Sequence, residues 1–455
     1  MISIGRINSN LVFKISDYYP NIPPLKKVLI ISYFYPPCNL TAANRIKGWS
    51  DHLAESGYYP VVVTRNWDQQ IESPEDVLRS SGEEISHTKT EKNEVYALPY
   101  KASLRDRIFV KNQGSPIQKI SRVLTFFNLI AENFWLKAIP HSNLYYFARK
   151  LIKENDDFHA VIISGNPFNQ FSFGYHLNKE FGTKWIADYR DDWNTNNLVA
   201  PKTGLNAFIG RLQRRSERKW TKSAIHFISV SDHYVNKIAA FTGVSGTTIF
   251  NGYGGLTDLK KEIHPTDFVI TYNGSLYDSQ PIESFLSVIH RLYSEGYKEI
   301  KLQFPGLAFD NKQASRVKEN SPQFSENVSI LNRIKKSEVM QLQANSDLLL
   351  MLAYGDLKGI PSSKLYEYIG LEKEVLLFPS DNDVIEETLN HVGLGVIAPD
   401  ENTLYAVLKE RLEHKRNGSP TVQKVDESII QSYSRKAQTK KLAELLDKIV
   451  PYPSE

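Results

Sequence analysis

The chain has 455 residues, too many for one hydrophobic core and enough for two or three domains. With 41% hydrophobic and 23% charged residues it is a folding chain rather than a disordered one. A net charge of +4 is too small for a dedicated nucleic-acid binder, so no nucleic-acid partner is expected. The single cysteine, Cys38, excludes an intrachain disulfide and argues against a cysteine-based zinc site. MISIGRINSNLVFKISDYYP is broken by polar residues, and no segment reaches the roughly 20 apolar residues of a spanning helix. A cytoplasmic protein is expected, with any membrane contact peripheral.

In chain order, VLIIS (28–32) reads as a strand, and Ala42, Ile46, Trp49 and Leu53 form the stripe of an amphipathic helix that stops at Gly57. PVVVT (60–64) is the next strand, and strand, crossover helix, strand is the parallel α/β signature. A short strand at YALPY and an aromatic helix over 117–139 follow. The rhythm resumes with FHAVIIS (158–164), a helix near 168–181, KWIADY (184–189), a helix near 205–222, IHFISV (225–230), a helix near 232–242 and TTIF (247–250). NGYGG (251–255) and the polar stretch to Asp267 read as a hinge. Beyond it come FVITYN (268–273), a helix near 281–295, IKLQF (300–304), VSIL (328–331), a helix near 337–345, DLLLMLAY (347–354), a helix from 362, EVLLF (374–378), GLGVIA (393–398) and one long helix over 426–449. The predicted fold is α/β: two doubly wound, Rossmann-like domains, 1–255 and 265–425, facing across a cleft. Residues 426–455 close the chain. Ligands of such sheets bind beyond the carboxyl ends of the strands.

GIPSSKLYEYIG (359–370) follows an apolar strand and opens a helix. Pro361 stiffens its start, and Ser362 or Ser363 can cap it. Lys364 then stands in the first turn, where the macrodipole disfavours a cation by about 0.3–1 kcal/mol. A bound diphosphate would reverse that balance. Glu367, on the same face, could accept from a ribose diol. The alternative is a surface Lys364–Glu367 pair, with Tyr366 and Ile369 in the core.

These motifs resemble GT-B glycosyltransferases of family four, particularly bacterial members that build capsule, exopolysaccharide or O-antigen. The matching pieces are VLIISYFYPP (28–37) with Arg45, ISGNPF (163–168), WIADYRDDW (185–193), ISVSDHY (228–234), IFNGYGG (249–255), ITYNGSLY (270–277) and IPSSKLYEY (360–368). YSRKAQTKKLAELL (433–446) matches the family's closing helix, which crosses back to the first domain. The resemblance implies an acceptor-binding first domain and a donor-binding second domain. The expected reaction moves a sugar from a nucleotide diphosphate sugar to a hydroxyl of a lipid-linked glycan, on a retaining course. The nucleotide sugar is a co-substrate; no other cofactor and no metal is expected. Three departures stand out. Such enzymes often carry two glutamates near the donor sugar; Glu367 matches the second, but Gly359 stands at the first. NLTAANR (39–45) replaces a Gly-Gly pair. Gln280 lies where a phosphate-binding lysine is frequent.

The remaining candidates follow from position. Gly274 and Ser275 end the second domain's first strand, and the glycine allows close approach to phosphate. Lys364 and Arg333 are left to meet the diphosphate. In WIADYRDDW, Asp188, Arg190, Asp191 and Asp192 crowd a strand's carboxyl end. Arg190 could hold an anion, and Asp191 could orient an acceptor hydroxyl or act as base in an inverting course. A buried structural network is the alternative. Asn166 should line the same floor, and Arg45 could reach phosphate or be a solvated surface residue. DND (381–383) is discounted as a metal motif because it better begins a helix. The basic helix 205–222 and the aromatic 117–139, which carries Phe126, Phe127, Phe134 and Trp135, suit peripheral contact with an anionic inner membrane face. Core packing of both is the alternative. A non-hydrolysing sugar-nucleotide epimerase and a non-catalytic glycan-binding scaffold are the rival functions.

Overall fold

The computed structural model describes residues 25–450 apart from 69–70, 113, 156, 196–203, 255–258, 260–261 and 420–424. The N-terminal 24 residues and much of the expected hinge therefore lie outside the described residues. Two sheets organise the chain. The first holds β1 (Lys26–Ser32), β2 (Tyr58–Arg65), β3 (Ser86–Lys89), β4 (Glu94–Leu98), β5 (Phe158–Gly165), β6 (Trp185–Tyr189), β7 (His226–Ser229) and β8 (Gly246–Thr248), ordered β3-β4-β2-β1-β5-β6-β7-β8. The second holds β9 (Phe268–Thr271), β10 (Ile300–Phe304), β11 (Val328–Ile330), β12 (Leu348–Leu352), β13 (Val375–Phe378) and β14 (Gly395–Ile397), ordered β11-β10-β9-β12-β13-β14. All pairings are parallel except the exposed edge pair β3 with β4. Both orders reverse direction beside their first strand, the doubly wound arrangement that opens a crevice at the strands' carboxyl ends.

The unbroken apolar runs are explained by burial on both faces of each sheet. In the first, Leu29, Ile31, Val61 and Ile163 pack with Leu144, Phe171 and Phe173. Val28, Ile30 and Val62 pack with Ile46, Trp49, Leu442 and Leu446. The last two belong to the helix Arg435–Ile449, so the end of the chain completes the first sheet's core, as expected. The terminal helix is not continuous, however. It divides into Glu427–Ser432 and Arg435–Ile449. At the break Tyr253 N–H donates to the Tyr433 carbonyl (3.1 Å) and Arg435 N–H to the Tyr253 carbonyl (2.8 Å). Gly252 has φ +64°, and a Cβ there would lie 2.9 Å from the Tyr433 carbonyl oxygen. Glycine is what allows the two crossing segments to pair so closely. The 117–139 helix is also shorter than expected: Gln118–Ala131, preceded by a helix Leu104–Lys111.

Beneath the first crevice Arg45 and Asp188 form an ion pair (Nη2–Oδ1, 3.0 Å), with the residues 3% and 0% exposed. Arg45 Nη1 also donates to the carbonyls of Ile249 (2.7 Å) and Phe250 (3.0 Å), and Ser164 Oγ donates to Asp188 Oδ2 (2.8 Å). Neither residue opens onto the cleft, so the expectation that they contact acceptor or phosphate is corrected. Each spends its charge on the other. Removing one partner leaves a buried, uncompensated charge, so Arg45→Ala should cost about 3–5 kcal/mol in denaturant unfolding. Arg45→Met with Asp188→Leu should recover part of that loss, and a single-variant cost under about 1 kcal/mol would refute the assignment.

Candidate active site

The second sheet's carboxyl edge is built around the helix Ser363–Gly370. Ser362 takes the cap position, but its hydroxyl makes no capping bond. The first-turn amides thus keep their positive end open. Lys364 and Tyr368 project from one face of this helix onto the loop after β9. Lys364 Nζ donates to Tyr272 Oη (2.8 Å) and to the Ser275 carbonyl (2.8 Å), and lies 4.0 Å from the Tyr272 ring centroid. Asn273 N–H donates to Tyr368 Oη (3.1 Å). Gly274 lies alongside the lysine chain at φ +80°, a conformation that favours glycine; a Cβ there would make ordinary contact, 3.5 Å from Lys364 Cε.

The lysine's support was not foreseen. The Tyr272 hydroxyl lies 2.9 Å from Gln280 Oε1, and Gln280 Nε2 donates to the Leu352 carbonyl (2.7 Å). Gln280 therefore braces the tyrosine that braces the lysine. Every acceptor of the ammonium is neutral, and desolvation pushes its pKa down to about 7, with Glu367 opposing. Glu367 pairs instead with Lys336 (2.9 Å), so the surface Lys364–Glu367 pair does not form. Tyr366 and Ile369 are core, while Pro361 and Ser362 are buried and Ser363 half-buried.

Across the cleft, Arg190 donates through Nε to the Gly165 carbonyl (2.6 Å) and through Nη2 to the Asn166 carbonyl (3.2 Å). It is thus a brace for the floor loop, on which Asn166 is exposed. Asp191 keeps solvent contact and makes no hydrogen bond or ion pair among the described residues. Desolvation by the walls around it raises its pKa, with Arg190 opposing. Asp191 in turn raises the pKa of Tyr277, from the second half, behind burial as the main cause. The Tyr277 ring is 53% exposed and packs 5.6 Å from Tyr354. Tyr277 was missed in the sequence, since only the fold brings it near Asp191. Asp192 pairs with Lys237 (2.8 Å), and Trp193 stacks on Phe168; both are structural.

The halves meet through direct bonds. Ser231 Oγ donates to the Gly359 carbonyl (2.9 Å), and Arg333 Nη1 donates to the Ile71 carbonyl (3.1 Å). Arg333 therefore stands at the seam between the halves. The Asp381 carboxylate accepts from the Ile385 (2.9 Å) and Glu386 (3.0 Å) amides, which explains DND as the start of the helix Val384–Val392.

No family model and no curated protein matches the chain. Solved structures do. Sucrose-phosphate synthase from Thermosynechococcus elongatus superposes with TM-score 0.62 at 13% identity, over 93% of this chain and 99% of that one. A glycosyltransferase from Rickettsia africae gives 0.58 at 11%, over 94% and 100%. An Anabaena protein solved with UDP and glucose gives 0.55 at 9%, over 93% and 100%. The fold is GT-B.

Within this GT-B fold, Gly359 explains its own departure from the two-glutamate pattern. Its φ is +76°, and any Cβ would overlap the His233 ring of the first half. Gly359→Ala should cost about 1–3 kcal/mol from backbone conformation and the clash together. Adding His233→Ala should restore only the steric share, as read from denaturation midpoints. A neutral Gly359→Ala would mean that the seam is open.

Proposed function

We propose that this chain transfers a sugar from a nucleotide diphosphate sugar to a hydroxyl of a lipid-linked glycan, as a family-four-like enzyme of cell-surface polysaccharide biosynthesis. One observation carries the reading: a desolvated ammonium, answered only by neutral oxygens, sits at an uncapped helix start in the cleft of a GT-B fold. A diphosphate is the anion that completes it. The Anabaena neighbour, solved with UDP and glucose, supports a nucleotide and a sugar as the ligand classes.

In this reading residues 1–255 receive acceptor, 265–425 hold donor, and 426–455 return to the first half. Gly274 and Ser275 border the diphosphate. Lys364 and the amides of Ser363 and Lys364 stabilise the charge that develops as the anomeric carbon–oxygen bond breaks. Arg333 adds a second cation on closure. Glu367 leaves Lys336 for the ribose hydroxyls. The acceptor oxygen bonds to the anomeric carbon, positioned by Asp191 and by Asn166 on the loop that Arg190 braces. In the retaining course the departing phosphate oxygen takes the acceptor proton, and no metal is required. In an inverting course Asp191, with its raised pKa, takes it. The protein works in the cytoplasm, peripheral to the inner membrane face.

The lowered Lys364 pKa fixes a pH dependence. Between pH 7 and 10.5 the unfolded lysine binds more protons than the folded one, so this group adds stability as pH rises through that window. Diphosphate does the reverse, raising the pKa and taking up a proton. Affinity should therefore fall above pH 7, and calorimetry at pH 8 in buffers of different ionisation enthalpy should register uptake of close to one proton. Lys364→Met should abolish both the uptake and the thermal stabilisation by donor, which at a hundredfold excess over Kd amounts to about 2.7 kcal/mol. Absence of a melting shift with every uridine, guanosine and adenosine diphosphate sugar would sink the proposal. Epimer formation from donor alone would replace it with the epimerase.

A further inference from the structure

Six exposed large apolar side chains lie on one helix and its flanking turns: Ile117, Ile120, Val123, Phe127, Phe134 and Trp135, from 50% to 65% exposed. Ile120, Val123 and Phe127, at spacings of three and four, form a stripe that faces solvent. Within Gln118–Ala131 only Ser121 is buried. Leu124, Phe126, Leu129 and Ile130 are half-buried, so the helix packs by one face, and the opposite stripe is an apolar surface left open. The helix Gly204–Thr221, in contrast, buries Ile209 and Trp220 and leaves Phe208 exposed, so its apolar face packs in part as core; the side chain of Leu205 lies outside the described residues.

Charge says what covers the stripe. Residues 107–137 hold five cations, Arg107, Lys111, Lys119, Arg122 and Lys137, and one acid, Glu132. All five cations are exposed, and none has an ion-pair partner among the described residues. Glu132 is turned inward to accept from Asn169 Nδ2 (2.9 Å), and burial pushes its pKa up to about 7. A second copy of the chain, joined through a two-fold contact, would set these cations against themselves. Aromatic side chains beside unpaired cations match an interface of acyl chains and anionic headgroups.

We propose that this helix and the turn at Phe134–Trp135 dock onto an anionic lipid bilayer. Asn169 lies on the loop segment that carries Asn166, so Glu132 ties the docking helix to the cleft floor. Resting on the proposed function, this places a lipid-linked acceptor's route on the acceptor half, beside Asn166 and Asp191.

The test sediments the full-length protein with vesicles of phosphatidylcholine alone and of phosphatidylcholine with phosphatidylglycerol. Binding is expected only to the anionic vesicles, and it should weaken with salt. Lys119→Glu with Arg122→Glu should lower partitioning by about thirtyfold or more. Trp135→Ser, and more strongly Phe127→Ser with Phe134→Ser, should lower it at unchanged charge and unchanged melting temperature. No binding to anionic vesicles, or equal binding by folded variants, overturns the proposal. So does a dimer that the same variants dissociate, because a second copy then covers the stripe. Vesicle binding without any nucleotide-sugar response leaves the docking surface standing and removes only the transferase reading.

Discussion

A single buried ion pair positions most of what matters in the first half. Taking a guanidinium and a carboxylate out of water is expensive, and part of that cost is offset where Arg45 Nη1 donates to two carbonyls and Asp188 accepts from Ser164. Those contacts join four places that are far apart in sequence: the helix after β1, the end of β5, the end of β6, and the exit from β8. Arg190 and Asp191 stand two and three residues after Asp188, so the pair helps determine where the strand delivers them. The Ile249 and Phe250 carbonyls are the first step of the crossover to the second half. Phe250 N–H is held in turn by Gln438 Oε1 (2.9 Å), from the returning helix. The crossover thus leaves from a rigid anchor, and any closing motion must be absorbed beyond it.

The second half carries the opposite condition. Where Arg45 is paired with a carboxylate, Lys364 is a cation at the positive end of a helix, desolvated, with only neutral oxygens to receive it. Nothing in the packing requires a lysine there. Tyr272 and Gln280 keep the ammonium in place rather than neutralise it. An arrangement that is unfavourable alone and favourable around an anion is how a binding site differs from a structural salt bridge.

Much of the fold was legible because parallel strands buried on both faces must be continuous runs of Val, Ile and Leu, and these survive in the sequence as strings such as VLIIS and DLLLMLAY. The terminal break at Tyr433 was not legible. It arises from pairing with Tyr253, some 180 residues away, and local helix periodicity runs straight through it. The site divides similarly. Lys364 was visible as a charge at the wrong end of a helix, a local conflict. Its partners Tyr272 and Gln280 come from a distant loop and carry no local sign. Arg45 was visible as a charge at a helix start and Asp188 as one at a strand end, but burial, which makes them supports, belongs to the assembled core. The 117–139 segment read equally well as core or surface, because amphipathic spacing states that a face exists and not which way it points.

Gly359 shows how one position can be claimed by two demands. On the donor side, the resemblance expects a carboxylate there to meet a sugar. On the seam side, its carbonyl accepts from Ser231, its amide donates to Asp383, and its Cα faces the His233 ring too closely for any side chain. Only glycine serves the second demand at φ +76°. The tight approach of the two halves therefore falls at the position where the resemblance expects a donor-sugar contact, directly ahead of the helix that carries Lys364. On the proposed reading, a donor sugar meets no carboxylate from position 359.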